Sequence, residues 1–423
     1  MYTLVSLLSL AGYVLAEDFS GFQGGGSPNG DWQMGPSGDS SDGSSSGFST
    51  VASSAYAVAS TSAASYAVSS AVDEVASSAT SSAAYSASTG SSSSNSSADY
   101  SSVESSVAAS STGTSRTSAP DGALTVGSSG DYSTVQDAVD ALDTSTTTEQ
   151  SIFIDEGTYN EQVVIPELAS SLIIYGYTTD TSSYSGNGAT ITYDLSQASG
   201  DYDDDETGTV RVQSDYVKIY NVNIANSYGE GSQAIALSAY GDYFGCYGCQ
   251  LTGYQDTLLA EQGYQVYGKC YIEGATDFIF GQEGIVWIDS SDIGVSADGT
   301  ITASGRSSDD DGYYVINEST VDYSTSSSAS SGGTYLGRPW QDYARVIFQN
   351  TVLSDVVNSA GWEVWNTDDE RTDYVTFAEY DNSGDGASGT RASFATTLSS
   401  ALSITDVLGS DYSDWVDTSY IAA

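Results

Sequence analysis

Two acids, Asp256 and Asp277, stand 21 positions apart in GYQDTLLAEQGYQVYGKCYIEGATDFIFG (253–281), each among glycine, aromatic and aliphatic residues of the kind that fill a core. Two carboxylates about 5 Å apart, at an effective dielectric near 20, repel by roughly 3–4 kcal/mol. One of them therefore keeps its proton to higher pH unless a cation is supplied. Such a pair can divide labour, an ionised group attacking and a protonated one donating. The alternative is that each acid only caps a turn by accepting backbone N–H bonds. Asp298 stands a further 21 residues on, so spacing alone does not single out the pair.

A repeat could bring the acids together. At a step of 21, Cys249-Gln-Leu251, Cys270-Tyr-Ile272 and Ser291-Asp-Ile293 fall in register, as do Val266 and Trp287. Repeats of this length that each carry short strands mark solenoids, parallel β-helices among them. Equivalent positions would then lie one strand spacing apart, roughly 4.8 Å. Leu251, Ile272 and Ile293 would form an inward column, with Cys249 over Cys270 as paired thiols or a disulfide. VRVQSDYVKIYNVNIAN, SIFIDEG and ARVIFQNTVL have the β-branched alternation of further strands. Helical periodicity is clear only at 132–142, where Val135, Ala138, Val139 and Leu142 share a face that could cap the open end of the solenoid.

Composition narrows the chemistry. The 423 residues include no histidine, which excludes a Ser-His-Asp triad, a Cys-His protease and His-ligated metal sites. Three cysteines cannot make a four-thiolate site within one chain, and CYGC (246–249) lacks the βαβ context of a redox pair. Acids outnumber bases 56 to 9, for a net charge of −47, which argues against nucleic acid or an anionic membrane as partner. The apolar run at 1–16, with Val14 and Ala16 at small-residue positions, reads as a signal peptide. Residues 17–120, rich in Ser, Ala, Gly and Thr, read as a disordered stalk, and 121–423 as the folded catalytic domain. A secreted, extracellular or wall-associated monomer is expected, with Asn95 and Asn317 as glycosylation sequons.

Seven stretches carry a resemblance, in order: GTYNEQVVI (157–165), SQAIAL (232–237), GYQDTL (253–258), DFIFG (277–281), YLGRPW (335–340), GWEVW (361–365) and FAEYDNSGDGA (377–387). Together they resemble the pectin methylesterases (pectinesterases), carbohydrate esterases whose fold is a right-handed single-stranded parallel β-helix, and the texture is closer to fungal members than to plant ones. The resemblance implies hydrolysis of the C6 methyl esters of polygalacturonate (pectin) to carboxylate and methanol, without a metal or organic cofactor. It assigns Asp277 as nucleophile, Asp256 as general acid/base, Gln233 and Gln255 as oxyanion donors, Arg338 as the cation orienting the nucleophile, and Trp340 as a substrate contact. Trp362, Tyr254 and Phe278 are further expected contacts beside the cleft, whereas Glu161 and Glu379 read as structural hydrogen-bonding residues. The acidic runs DYDDDE (201–206) and SSDDDG (307–312) read as loops without a fixed ligand pattern, which weakens the alternative of a calcium-dependent lyase. The other alternative is a non-catalytic pectin- or glycan-binding wall protein on the same scaffold, a role that needs no paired acids.

Overall fold

A computed structural model describes residues 114–422. The expected signal peptide at 1–16, the expected stalk up to residue 113 and the Asn95 sequon lie outside the described residues. The chain winds as a parallel β-helix with three faces. One face is an eleven-stranded parallel sheet running from Leu124–Val126 to Ala395–Thr397. The other two faces are rows of short parallel strands that the long strands Tyr271–Gly281 and Asp292–Ser304 join into one sheet.

Each face contributes an inward ladder. On the first face Ile152, Ile174, Ile219, Cys246, Tyr267, Ile288, Ile316 and Phe348 are successive partners. On the second the ladder is Ile191, Ile224, Leu251, Ile272, Ile293, Val321 and Leu353. On the third it is Val163, Val210, Leu237, Leu258 and Ile279. All belong to one core, so each added coil extends the apolar column that its neighbour started.

The corner between the first and second faces repeats a single device. Asn221, Lys269, Ser290, Glu318, Asn350 and Asp381, one per coil, hold left-handed backbone with φ of 55, 52, 50, 48, 52 and 47°, and Gly248 takes the same place at 58°. The hydroxyls that follow stitch the coils together: Ser291 Oγ accepts from Cys270 N at 3.0 Å and Ser319 Oγ from Ser291 N at 3.1 Å. Cys246, Cys249 and Cys270 are buried free thiols, not a disulfide.

Helix α1 (Val135–Asp140) covers the first coil, with Val135, Ala138 and Val139 buried. Thr134 caps it through a 3.1 Å bond from Asp137 N, and Glu161 accepts from Val135 N and Gln136 N at 2.8 and 2.9 Å. Glu379 binds Arg391 through both oxygens, at 2.7 and 2.9 Å. Both glutamates thus hold structure. The folded body begins earlier than residue 121: Arg116 exchanges backbone hydrogen bonds with Thr178, and its guanidinium lies 4.7 Å from the ring centre of Tyr175.

Candidate active site

Asp256 and Asp277 occupy equivalent places on consecutive coils of the third face, each two residues ahead of the paired Leu258 and Ile279. Their α-carbons are therefore about one strand spacing apart. Both stand in left-handed backbone, φ 65° and 50°, a conformation that non-glycine residues seldom adopt and that collects at functional sites. Both are nearly buried, at 7 % exposure.

Asp298 does not join them. The register between the strands Tyr271–Gly281 and Asp292–Ser304 slips between Gly274 and Ile279, so that Thr276 pairs with Thr300 and Ile279 with Thr302. The extra residues bulge outward, where Asp298 accepts from Ser330 N and Ser330 Oγ, each at 2.6 Å. Thr300 takes the vacated place and donates its hydroxyl to Asp277 Oδ1 at 2.5 Å.

Arg338 reaches Asp277 from the strand Thr334–Pro339, two coils along. Its partner on the intervening strand, Ala303, adds only a methyl group to that path. The guanidinium forks onto the carboxylate, Nε to Oδ1 at 2.9 Å and Nη2 to Oδ2 at 2.6 Å, the bidentate geometry in which charge-assisted bonds are strongest. Asp256 has no such partner. Burial pushes its carboxyl well above the usual range, and the charges of Asp277 and Asp204 push it further against the pull of Arg338. The two acids are thus in opposite circumstances, one forked by a guanidinium and the other buried without one, its carboxyl raised.

Gln233 and Gln255 approach the acids on adjacent coils. Ala234 N donates to Gln255 O at 3.2 Å, and Gln255 bridges to Thr276. Both side chains are partly exposed, and neither amide nitrogen donates to a described residue. Tyr254 is partly exposed beside Gln255. Trp340 packs against Phe280, ring centres 6.0 Å apart, at the edge of a small outer cluster of Ile235, Leu259, Phe280 and Ala303.

Two expected substrate contacts are corrected. Phe278 is fully buried in the central core, so close beneath Gly274 that a Cβ there would stand 2.2 Å from its own Cβ. Trp362, at 1 % exposure, stacks on Phe377 at 4.5 Å. Neither can meet a polymer. Trp365, which sequence reasoning passed over, lies at the site instead: the Arg338 guanidinium is 4.6 Å from its ring centre and that of Arg371 5.0 Å. Asn317 is corrected as a sequon. It is buried, donates to Asp289 Oδ2 at 2.8 Å and accepts from Gln349 and Asn350, so its amide is not available to a glycan.

The acidic runs are tied down rather than loose. Asp205 binds Arg211, Gln213 and Ser238, and Asp309 and Asp310 pair with Arg345 and Arg306. Asp204 accepts from Gln197 Nε2 at 2.6 Å, while Gln197 N donates to Gln233 O at 3.0 Å. Burial, and then Asp203, push Asp204 up to about 6. Glu261 is raised to about 7 by burial, opposed by its bonds from Gln282 N and Nε2.

Comparison with known proteins agrees with this fold. The profile of the pectinesterase family matches residues 123–403. A pectinesterase of Aspergillus aculeatus is 53 % identical over 280 residues, 65 % of this chain and 85 % of its own length, and one of Aspergillus niger is 53 % identical over 282. Among solved structures, a deglycosylated pectin methylesterase from Aspergillus niger superposes with a TM-score of 0.68 at 45 % identity, covering 72 % of this chain and all of its own. A pectin methylesterase from carrot gives 0.65 at 26 %, covering 72 % of this chain and 98 % of its own. The chain belongs to the pectinesterase family of carboxylic ester hydrolases.

Proposed function

We propose that the chain hydrolyses the C6 methyl esters of pectin through a covalent intermediate on Asp277. The observation that carries this reading is the asymmetry of the acid pair: Asp277 forked by Arg338, Asp256 buried without a cation of its own. An oxygen of Asp277 attacks the ester carbonyl, and the oxygen of the tetrahedral species takes N–H bonds from Gln233 and Gln255. One such donor is worth about 3 kcal/mol in the transition state. As the C–O bond to methoxide breaks, Asp256 supplies the proton and methanol leaves, with an anhydride between Asp277 and the galacturonate. Asp256, now a carboxylate, takes a proton from water. The hydroxide opens the anhydride, Asp277 is freed, and the new acid gives its proton to solvent.

Methanol release from highly methylated pectin is the test, and its absence would sink the reading. A lyase would leave unsaturated ends and a glycosidase new reducing ends, neither of which is expected. Because Asp256 must be protonated to act as an acid, turnover should fall on the alkaline side as that proton is lost. The apolar leader at 1–16 supports secretion, which N-terminal sequencing of the protein from culture medium checks. The Ser/Ala-rich stretch supports a spacer between that leader and the enzyme.

A further inference from the structure

The two oxygens of the Asp277 carboxyl are held unequally. A carboxylate presents about four lone pairs, two on each oxygen, and in this fold three of those positions are taken. Oδ1 accepts from Arg338 Nε at 2.9 Å and from Thr300 Oγ1 at 2.5 Å, whereas Oδ2 accepts only from Arg338 Nη2 at 2.6 Å. No other described residue donates to either oxygen. The position left open is on Oδ2. Thr300 itself has little freedom to change this. Its oxygen accepts from Asp277 N at 3.2 Å, so its single proton is directed to the carboxyl of the same residue and the two bonds close a ring. The side chain is 2 % exposed, β-branched and therefore stiff at χ1, and set between Thr276 and Tyr335 on the flanking strands. It reaches this place through the register slip that pushes Asp298 outward.

We propose that Thr300 is a positioning residue that commits Asp277 to attack through Oδ2. The inference rests on the covalent reading above and carries it to the atom. A lone pair of Oδ2 forms the bond to the ester carbon, and the carbonyl pair moves onto the ester oxygen. When methoxide leaves with the proton of Asp256, Oδ1 remains as the carbonyl oxygen on the Asp277 side of the anhydride, still held by Thr300 and by Arg338 Nε. When hydroxide opens the anhydride at the galacturonate carbon, the bond from that carbon to Oδ2 breaks and its electron pair returns to Asp277. The same two donors then receive the charge that spreads onto Oδ1. Attack through Oδ1 would instead take the acceptor away from a buried hydroxyl that has nowhere else to donate, a costly arrangement.

The experiment measures kcat and KM for methanol release from highly methylated pectin by wild type, Thr300→Val, Thr300→Ser and Thr300→Ala. Valine keeps the shape and loses the hydroxyl; serine keeps the hydroxyl and loses the methyl group. Thr300→Val should lose about 30-fold in kcat with KM within about twofold, and Thr300→Ser should stay within about threefold of wild type. Serine and alanine share any loss of packing, so their ratio reads the hydroxyl even where valine does not fold: a kcat ratio of about tenfold or more upholds the proposal. A ratio near one overturns it, as does a loss carried by KM rather than kcat. The attacking atom is read from a crystal of Asp256→Asn with a methyl-esterified oligogalacturonate, in which the ester carbon should stand about 3–3.5 Å from Oδ2 and farther from Oδ1. An ester carbon nearer to Oδ1 overturns the assignment. If wild type releases no methanol, the covalent reading fails and this proposal with it; an active wild type whose Thr300 variants all match it sinks the role of Thr300 alone.

Discussion

The outer surfaces of the first and third faces are built alike and used differently. On the first face Phe153, Tyr175, Tyr220, Tyr247, Val266, Trp287, Val315 and Ile347 point outward, and the C-terminal segment lies over them with Val407 and Leu408 of α2 (Ile404–Leu408), Trp415, Val416 and Tyr420. On the third face the outward cluster is only Ile235, Leu259, Phe280 and Ala303, flanked by Tyr240 and Trp340. There the chain leaves the surface uncovered and sets two buried acids and an arginine in it. A parallel sheet wants both surfaces shielded; the first face uses its own chain for that, and the third leaves room for a polymer.

Substitutions on the two faces should therefore separate activity from stability. The largest effect is expected at Asp277→Asn, which removes the proposed nucleophile without changing volume: methanol release should fall ~10³-fold or more, with the melting curve shifted little. Retention of a tenth of the wild-type rate would contradict the covalent route. Trp415→Ala on the covered face should do the reverse, costing about 3 kcal/mol and several degrees in Tm while kcat of the folded enzyme holds. The low end of the range applies because the buried indole Nε1 has no hydrogen-bond partner to lose. Trp340→Ala on the open face should raise KM about tenfold and leave Tm within roughly 2 °C.

A pH series sharpens the contrast. Asp204 and Glu261, both beside the open face, rise from 3.8 to about 6 and from 4.5 to about 7 on folding. Between those limits the folded chain holds more protons than the unfolded one, so these two groups contribute stability at low pH that is lost as pH rises. Glu261→Gln should match wild type near pH 4 and melt a few degrees above it at pH 7–8. A gap that is constant with pH would mean that Glu261 does not titrate as described. The smallest effect is expected from removing residues 17–113, which should leave turnover and Tm unchanged. Extending the cut through residue 120 should lower Tm, because it removes Arg116 from Tyr175 and Thr178.

The sequence carried the repeat where the coils are shortest. Leu251, Ile272 and Ile293 are evenly spaced, but the same inward ladder runs on to Val321 and Leu353 across longer coils, and no fixed step finds those. The corner turns leave no compositional trace either, since Asn, Lys, Ser, Glu and Asp all fill them. The two misplaced aromatics sit where the chain departs from a regular strand. The left-handed turn at Asp277 breaks the strand alternation, so that Phe278 and Ile279 both enter the core, and Trp362 is taken inward against Phe377 while Trp365, three places on, meets Arg338 at the site. Asn317 looked exposed because nothing local shows that the polar ladder of Asp289 and Gln349 lies beneath the C-terminal segment, where Ala422 N and Leu402 N bind it.

Placing the acids on consecutive coils has an evolutionary consequence. Their separation is inherited from the hydrogen-bonded distance between strands, so it comes in whole units and cannot drift by fractions. Loops between the faces can lengthen, as the growing coils toward the C-terminus do, without altering the gap between Asp256 and Asp277. Only the gain or loss of a complete turn of chain between them would change it. A lineage on this scaffold is therefore free to vary which polymer it meets while the reacting distance stays the same.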